Sequence, residues 1–243
     1  MYKTEFELKY ELCKNDTEGM PVIVVAAGSS SRMQGTNKQF LELGGIPVII
    51  KTLMRFEKSP EIKNIILVVR DEDLFNMQLL TEKYQITKLT DIVCGGKTRQ
   101  ESVLKGFNRV SEDDECVLIH DGARPLVDER IISDVAQALK KHSAVTCAVK
   151  VKDTVKQIDQ NGKVVKTLDR DALVAVQTPQ GVNVADYLTA VNKAGDVSIF
   201  TDDTSLMEAA GFEVYTVEGS YKNIKITTPE DIEVARAFGE DGL

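Results

Sequence analysis

From residue 20 onward, short runs of apolar, largely β-branched residues alternate with stretches in which apolar positions recur every three or four residues. The runs at 21–26, 64–69, 87–93, 115–120 and 144–149 are nearly continuous in apolar character, as strands buried on both faces require. Between them, 47–56, 73–84, 99–110 and 129–140 carry helical spacing and leave their charges for solvent. Alternation of this kind predicts parallel strands joined by crossover helices, hence an α/β fold with a doubly wound, mostly parallel twisted sheet.

The rhythm breaks at Lys152. Residues 154–158 and 163–168 read as two extended strands joined by an Asn-Gly turn within Asp159-Gln160-Asn161-Gly162. A two-stranded ribbon standing alone is marginal in water, so a β-hairpin arm over 152–170 needs a surface to pack on. A second copy of the chain is the economical one, which predicts a homodimer. Strand and helix then return: a strand at 173–177, a helix at 185–193, another at 204–210 closed by Gly211, and a strand at 212–217. The last helix opens at Thr228-Pro229-Glu230-Asp231, with an N-cap, a proline at the first helical position and an acidic first turn. Residues 20–243 thus form one domain. Residues 1–19 fit neither rhythm and read as an extension: an added strand, a short helix or a partly ordered segment.

Composition narrows the function. With 42% hydrophobic and 28% charged residues and no apolar run near the ~18 residues of a membrane span, the chain reads as a globular protein. Its first residues lack the basic start and apolar stretch of a secretory signal, so a cytoplasmic location is expected. Cys13, Cys94, Cys116 and Cys147 are far apart with no CxxC pair, which suggests neither a zinc site nor a disulfide framework. A formal charge of −8 opposes a nucleic-acid backbone, so any anion this protein binds must meet a local cationic pocket.

The densest motif is Ala26-Ala27-Gly28-Ser29-Ser30-Ser31-Arg32-Met33, continuing through Lys38-Gln39-Phe40-Leu41. A buried strand ends there in a small-residue loop whose N–H and hydroxyl groups can approach phosphate oxygens, with Arg32 and Lys38 adding charge. Glycine and serines alone would describe any flexible strand-to-helix turn. The loop is neither a GxxxxGK[ST] P-loop nor a GxGxxG dinucleotide turn. The full string resembles the signature of nucleotidyltransferases that make nucleotide-activated sugars and polyols. Most of all it resembles the 2-C-methyl-D-erythritol 4-phosphate cytidylyltransferase family.

Four further stretches carry the same resemblance. In Gly95-Gly96-Lys97-Thr98-Arg99-Gln100-Glu101-Ser102, two glycines let a flat base lie against backbone; by similarity Gly96 and Ser102 contact cytosine. Lys97 stands where some relatives carry an acid and is left out of the site. In His120-Asp121-Gly122-Ala123-Arg124, a buried strand ends in a carboxylate where open α/β sheets hold ligands, so Asp121 is the candidate Mg²⁺ ligand. Gly122 shapes the nucleotide pocket; Arg124 does so too or serves as a structural ion-pair partner. His120 faces away from Asp121 in a regular strand and reads as a packed residue.

Around Arg170 and Gln177-Thr178-Pro179-Gln180, the resemblance implies that Arg170, reaching from a neighbouring subunit, and Thr178 bind the phosphate of the sugar substrate; a guanidinium fork suits that task. Thr201 falls at another substrate-side position, beside an Asp202 that also reads as a helix cap. In Asn223-Ile224-Lys225, Lys225 is carried over as a phosphate contact.

The resemblance implies an enzyme that couples CTP to a polyol phosphate with Mg²⁺ and releases pyrophosphate. Arg32, Lys38 and Lys225 would be catalytic, and Ala26, Ala27, Gly28, Ser29, Gly96, Ser102, Asp121 and Gly122 would hold the nucleotide. A ribitol-5-phosphate cytidylyltransferase and a non-catalytic nucleotide-binding module are the competing readings.

Overall fold

The computed structural model describes residues 19–28 and 37–239. In chain order they form β1 (Met20–Val25), β2 (Glu42–Leu43), β3 (Ile46–Pro47), α1 (Val48–Lys58), β4 (Ile62–Val69), α2 (Leu74–Lys83), β5 (Leu89–Cys94), α3 (Arg99–Phe107), β6 (Cys116–Asp121), α4 (Glu129–Leu139) and β7 (Ala144–Lys150). There follow β8 (Lys156–Ile158), β9 (Val164–Thr167), β10 (Val174–Asn183), α5 (Val184–Ala194), α6 (Asp203–Ala209), β11 (Val214–Glu218) and α7 (Pro229–Gly239).

The central sheet runs β11-β7-β10-β6-β1-β4-β5. All its pairings are parallel except those of β10, which is antiparallel to both β6 and β7. Period-two alternation decides what each face buries. Val22 and Val24 of β1 point to a layer with Ile49, Leu53 and Phe56 of α1 and Ile131 and Val135 of α4. Ile23 between them points the other way, to Val103 and Phe107 of α3, Tyr187 of α5 and Leu206 of α6. Each such apolar side chain, fully buried, contributes roughly 1.5–3 kcal/mol. A smaller cluster seats α7 on the β2–β3 ribbon through Leu43, Val48, Ile226 and Ile232.

The strand expected at 173–177 continues to Asn183. Its register shifts between Val176 and Gln180, around a cis Thr178-Pro179 peptide bond, after which β10 resumes pairing with β7 and also pairs with β6. Proline cannot donate to a ladder, and the irregularity in β10 accommodates Pro179. The arm forms as a separate β8–β9 ribbon. Its turn is wider than a two-residue Asn-Gly loop: Gly162 takes φ +81°, and the Asp159 carboxylate accepts from the N–H groups of Asn161 and Lys163 at 2.9 and 3.0 Å. Ile158, Val164 and Val165 stand exposed on it.

Candidate active site

The chain lays β1, β4 and β5 outward in one direction, then returns to place β6 on the other side of β1. The strand order therefore reverses between β1 and β6, and in sheets of this type the crevice beyond the strands' carboxyl ends at that reversal holds the ligand. Val25 and Asp121, the last residues of the two strands, are register partners. A cavity of about 490 Å³ opens above them.

One wall is the turn between β5 and α3, where glycine is required by space. A Cβ on Gly95 would lie 2.4 Å from that of Ala27, and one on Gly96 would lie 2.3 Å from that of Glu101. The turn is tied down by Ser102, whose hydroxyl accepts from the Gly96 N–H at 3.0 Å and donates to the Thr98 carbonyl at 2.8 Å. Thr98 in turn caps α3 by accepting from the Glu101 N–H at 3.1 Å.

Asp121 is the electrostatic centre. Its side chain is 9% exposed, with the Lys225 ammonium 2.8 Å from Oδ2, Arg124 3.5 Å from Oδ2 and Arg99 3.4 Å from Oδ1. Burial alone would raise its pKa, but Lys225, Arg99 and Arg124 together hold the carboxyl well below the usual carboxylate range. It is therefore ionised at any working pH. Lys38 reaches the same cavity from the turn after the first loop, and its ammonium donates to the Ile226 carbonyl at 3.0 Å.

Beneath the carboxylate lies a buried polar chain whose proton directions are fixed by chemistry. His120 Nε2 is 3.2 Å from the Arg124 carbonyl, which can only accept, so Nε2 carries the proton. Nδ1 is then the acceptor for the Thr178 hydroxyl at 3.1 Å, and that hydroxyl's oxygen accepts the Asp121 N–H at 3.0 Å. Burial pushes the His120 imidazole down to about 3, so it is neutral, and Phe56 packs edge-on against it at 4.8 Å between centroids. The loop bearing Lys225 is anchored to the same spot: Asn223 donates to the Thr178 carbonyl at 2.9 Å, and its own carbonyl accepts from Arg124 at 2.8 Å.

Of the residues singled out from sequence, Ala27, Gly28, Lys38, Gly96, Ser102, Asp121 and Lys225 line the cavity together. Ala26 is buried beneath it, and Gly122 packs tightly there, since a Cβ would meet Ile49 at 2.9 Å. Arg124 pairs with Asp121, one of the two roles its position allowed, and Thr178, read as a contact to the substrate's phosphate, has its hydroxyl on the Asp121 N–H. Thr201 is exposed just before α6, whose N-cap is Asp202. Arg170 sits at the arm's base, exposed, donating to the Lys152 carbonyl at 3.0 Å, away from its own chain's cavity. Ser29, Arg32 and the extension 1–18 lie outside the described residues. Gln39, Arg70 and Arg99 also line the cavity and were not singled out. Gln39 and Arg99 stand inside quoted motifs without a role read for them, whereas Arg70 lies in none and pairs locally with Glu72 and Asp73.

Among the described residues no three His, Cys, Asp or Glu side chains converge on one point. Among those residues Asp121 is the carboxylate that lines the cavity and can be offered to a divalent ion. That suits Mg²⁺, which keeps waters and takes phosphate oxygens rather than filling an all-protein cage. An ionised carboxylate on the cavity wall is a donor of the right kind once Lys225 steps off it. Cys94, Cys116 and Cys147 are free thiols.

The family model for 2-C-methyl-D-erythritol 4-phosphate cytidylyltransferase matches residues 20–240. The chain belongs to that family. A cytidylyltransferase of this name from Clostridium novyi is 48% identical over 222 residues, covering 90% of this chain and 96% of that protein. One from Bacillus cereus is 46% identical over 220 residues, covering 89% and 96%. Among solved structures, the 4-diphosphocytidyl-2C-methyl-D-erythritol synthase of Anaerococcus prevotii superposes with a TM-score of 0.82 at 36% identity, covering 93% of this chain and 97% of the other. The cytidylyltransferase of Francisella tularensis gives 0.74 at 32% identity, covering 90% and 99%. As a member of this cytidylyltransferase family the protein is a nucleotidyltransferase with the α/β fold of that enzyme class. No helix among the described residues is long and apolar enough to cross a membrane.

Proposed function

We propose that this enzyme transfers CMP from CTP to 2-C-methyl-D-erythritol 4-phosphate, releasing pyrophosphate. The supporting observation is the meeting of Lys38, Lys225 and Asp121 in one cavity at the sheet's switch point, although they are far apart in sequence. An oxygen of the acceptor phosphate attacks the α-phosphorus in line; the new O–P bond forms as the bond to the bridging α–β oxygen breaks, and its electrons leave with pyrophosphate. No protein nucleophile is needed.

The difficulty is bringing anions together: a like-charge pair at ~4 Å costs about 4 kcal/mol at an effective dielectric near 20. Lys38, Lys225 and Arg32 counter that repulsion and stabilise charge growing on the transferred and leaving phosphates. Backbone of Ala26, Ala27, Gly28 and Ser29 cradles the triphosphate, and Gly96 and Ser102 receive the cytosine. Gly122 keeps the pocket floor close. Asp121 would hold Mg²⁺, which when bound supplies Lewis-acid polarisation of phosphate oxygens. Arg124 and Thr178 set Asp121 and the Lys225 loop, while Thr201 and a partner's Arg170 meet the acceptor. In this reading 20–243 is one catalytic domain of a cytoplasmic homodimer joined by the 152–170 arm, with 1–19 an extension.

Supplying CTP and Mg²⁺ with either 2-C-methyl-D-erythritol 4-phosphate or ribitol 5-phosphate, and measuring pyrophosphate, tests the reading. Release with the first is expected. Preference for ribitol 5-phosphate, or CTP binding without release from either, would overturn it. Lys38→Ala and Arg32→Ala should each lower turnover by ~100-fold or more, the scale of a lost preorganised donor.

A further inference from the structure

Arg99 is a partly buried guanidinium lining the cavity, with two carboxylate partners belonging to different parts of the fold. It is the first residue of α3, held there by the Thr98 cap and the Gly95-Gly96 turn. Its Nε lies 3.4 Å from Asp121 Oδ1 on the site side, and its Nη1 lies 2.8 Å from Oδ2 of Asp203, whose side chain is fully buried. This contact is an ion pair between a cation that lines the cavity and a carboxylate in the core. Asp203 cannot move: its Oδ1 accepts from the Tyr187 hydroxyl at 3.0 Å, its N–H donates to Gln180 at 3.0 Å, and it opens the helix capped by Asp202. Burial would lower the Arg99 pKa, but Asp203 and Asp121 raise it, so the charge is permanent.

The second cation on Asp121 differs in kind. Lys225 approaches Oδ2 at 2.8 Å from a loop, its side chain is 37% exposed, and a four-carbon stem lets the ammonium swing. Asp121 thus carries two counter-charges held in place, Arg99 and the Arg124 that is tied to the Asn223 carbonyl, and one free to leave.

We infer that Arg99, clamped by Asp203, is a positioning residue that fixes and compensates the Asp121 carboxylate, so that Lys225 can exchange from Asp121 to the phosphates of the bound nucleotide. Without Arg99, Oδ1 of Asp121 would lose its only cation among the described residues, Arg124 at 3.5 Å from Oδ2 would be the one fixed counter-charge left, and Lys225 would be held more tightly on the carboxylate and withheld from the triphosphate. Arg99 touches no reacting atom in this scheme. The inference rests on the nucleotide reading of the cavity, though not on which polyol phosphate is the acceptor.

The test separates the fold-anchoring half of Arg99 from the half facing Asp121. Arg99→Gln alone strands the buried Asp203 carboxylate and can fail to fold for that reason. The double variant Arg99→Gln/Asp203→Asn removes both charges of that buried pair, and the new side-chain amide keeps an oxygen to accept from Tyr187. We expect it to fold with a thermal midpoint within a few degrees of the parent, yet to bind CTP at least ~10-fold more weakly by calorimetry and to turn over at least ~30-fold more slowly.

Lys225→Ala should then cost at least ~10-fold less CTP affinity in that background than in the parent, because Lys225 is no longer available to the phosphates. A folded double variant with parental CTP affinity, or equal losses from Lys225→Ala in both backgrounds, overturns the inference. An unfolded double variant would do the same, since it would show that Arg99 is needed as a charge in the core. Calorimetric CTP binding to the parent remains measurable even if neither polyol phosphate releases pyrophosphate, so failure of the acceptor assignment is distinguishable from failure of this one.

Discussion

Replacing Thr178 by valine tests the network beneath the site with almost no change of shape. The hydroxyl of Thr178, a residue 4% exposed, accepts the Asp121 N–H at 3.0 Å and donates to His120 Nδ1 at 3.1 Å. Valine fills the same space, so no cavity opens, but two buried polar groups lose their partner. Each such loss costs about 1–3 kcal/mol, which gives about 3 kcal/mol for the pair after partial relaxation. With a urea slope of about 3 kcal/mol per molar, the unfolding midpoint should fall by ~1 M. The chain has no tryptophan, so far-UV circular dichroism is the suitable probe. Thr178→Ser keeps the hydroxyl and should retain most of the stability. A valine variant within ~0.5 kcal/mol of the parent, impaired only in acceptor KM, would refute the structural role and return Thr178 to the substrate.

Stability should fall with acid before ordinary carboxylates titrate. His120 is held near 3 when folded against 6.5 when free, so the unfolded chain binds the extra proton and each pH unit below ~6.5 costs about 1.4 kcal/mol; equal urea midpoints at pH 6.5 and 5 would contradict this. Gly106→Ala places a Cβ 2.5 Å from Ile23 and 3.0 Å from Val68. Overpacking of about 1–3 kcal/mol should outweigh a helix gain near 1 kcal/mol, and a raised midpoint would show that α3 does not seat on β1 as described. Val165→Asp on the exposed face of the arm should convert a two-chain particle to one chain in sedimentation equilibrium and depress turnover with it; a parent that already sediments as one chain removes the arm from assembly.

The α/β architecture was legible because it rests on local pattern: Val22, Ile23 and Val24 alternate between two layers, and the strand carries both in one short run. The site's floor was legible in part for a related reason, since the switch point brings together residues that end strands, and both Gly28 and Asp121 follow directly from where β1 and β6 stop. What could not be read was pairing across the fold. Arg99 stands in the Gly95–Ser102 motif with no role read for it, and nothing in its neighbours tells that Asp203, about a hundred residues on, lies 2.8 Å away. Likewise the strand read at 173–177 stops short of Pro179, whereas pairing with β7 before the irregularity and with both β6 and β7 after it carries β10 on to Asn183.

That a carboxylate sits in the wall of a cavity lined by Lys38, Arg99 and Lys225 calls for a physical reason besides the metal role proposed for it. Lys225, Arg99 and Arg124 approach one another from the loop before α7, the start of α3 and the end of β6. Without a shared counter-ion, such cations in a partly desolvated pocket would repel one another and splay toward solvent. Asp121 supplies that counter-ion on the least mobile element available, the central β6, whose register with β1 ties it to the loop carrying Gly28. The cavity is thereby kept near the arrangement a triphosphate needs, and binding can proceed by exchange of partners rather than by gathering charges from solution. Preorganisation of this sort is where an enzyme without a nucleophile finds its catalytic advantage. It also reconciles a chain of net charge −8 with an anionic substrate, because the attraction is local and close while the opposing field is spread over the surface and screened within about 10 Å by salt.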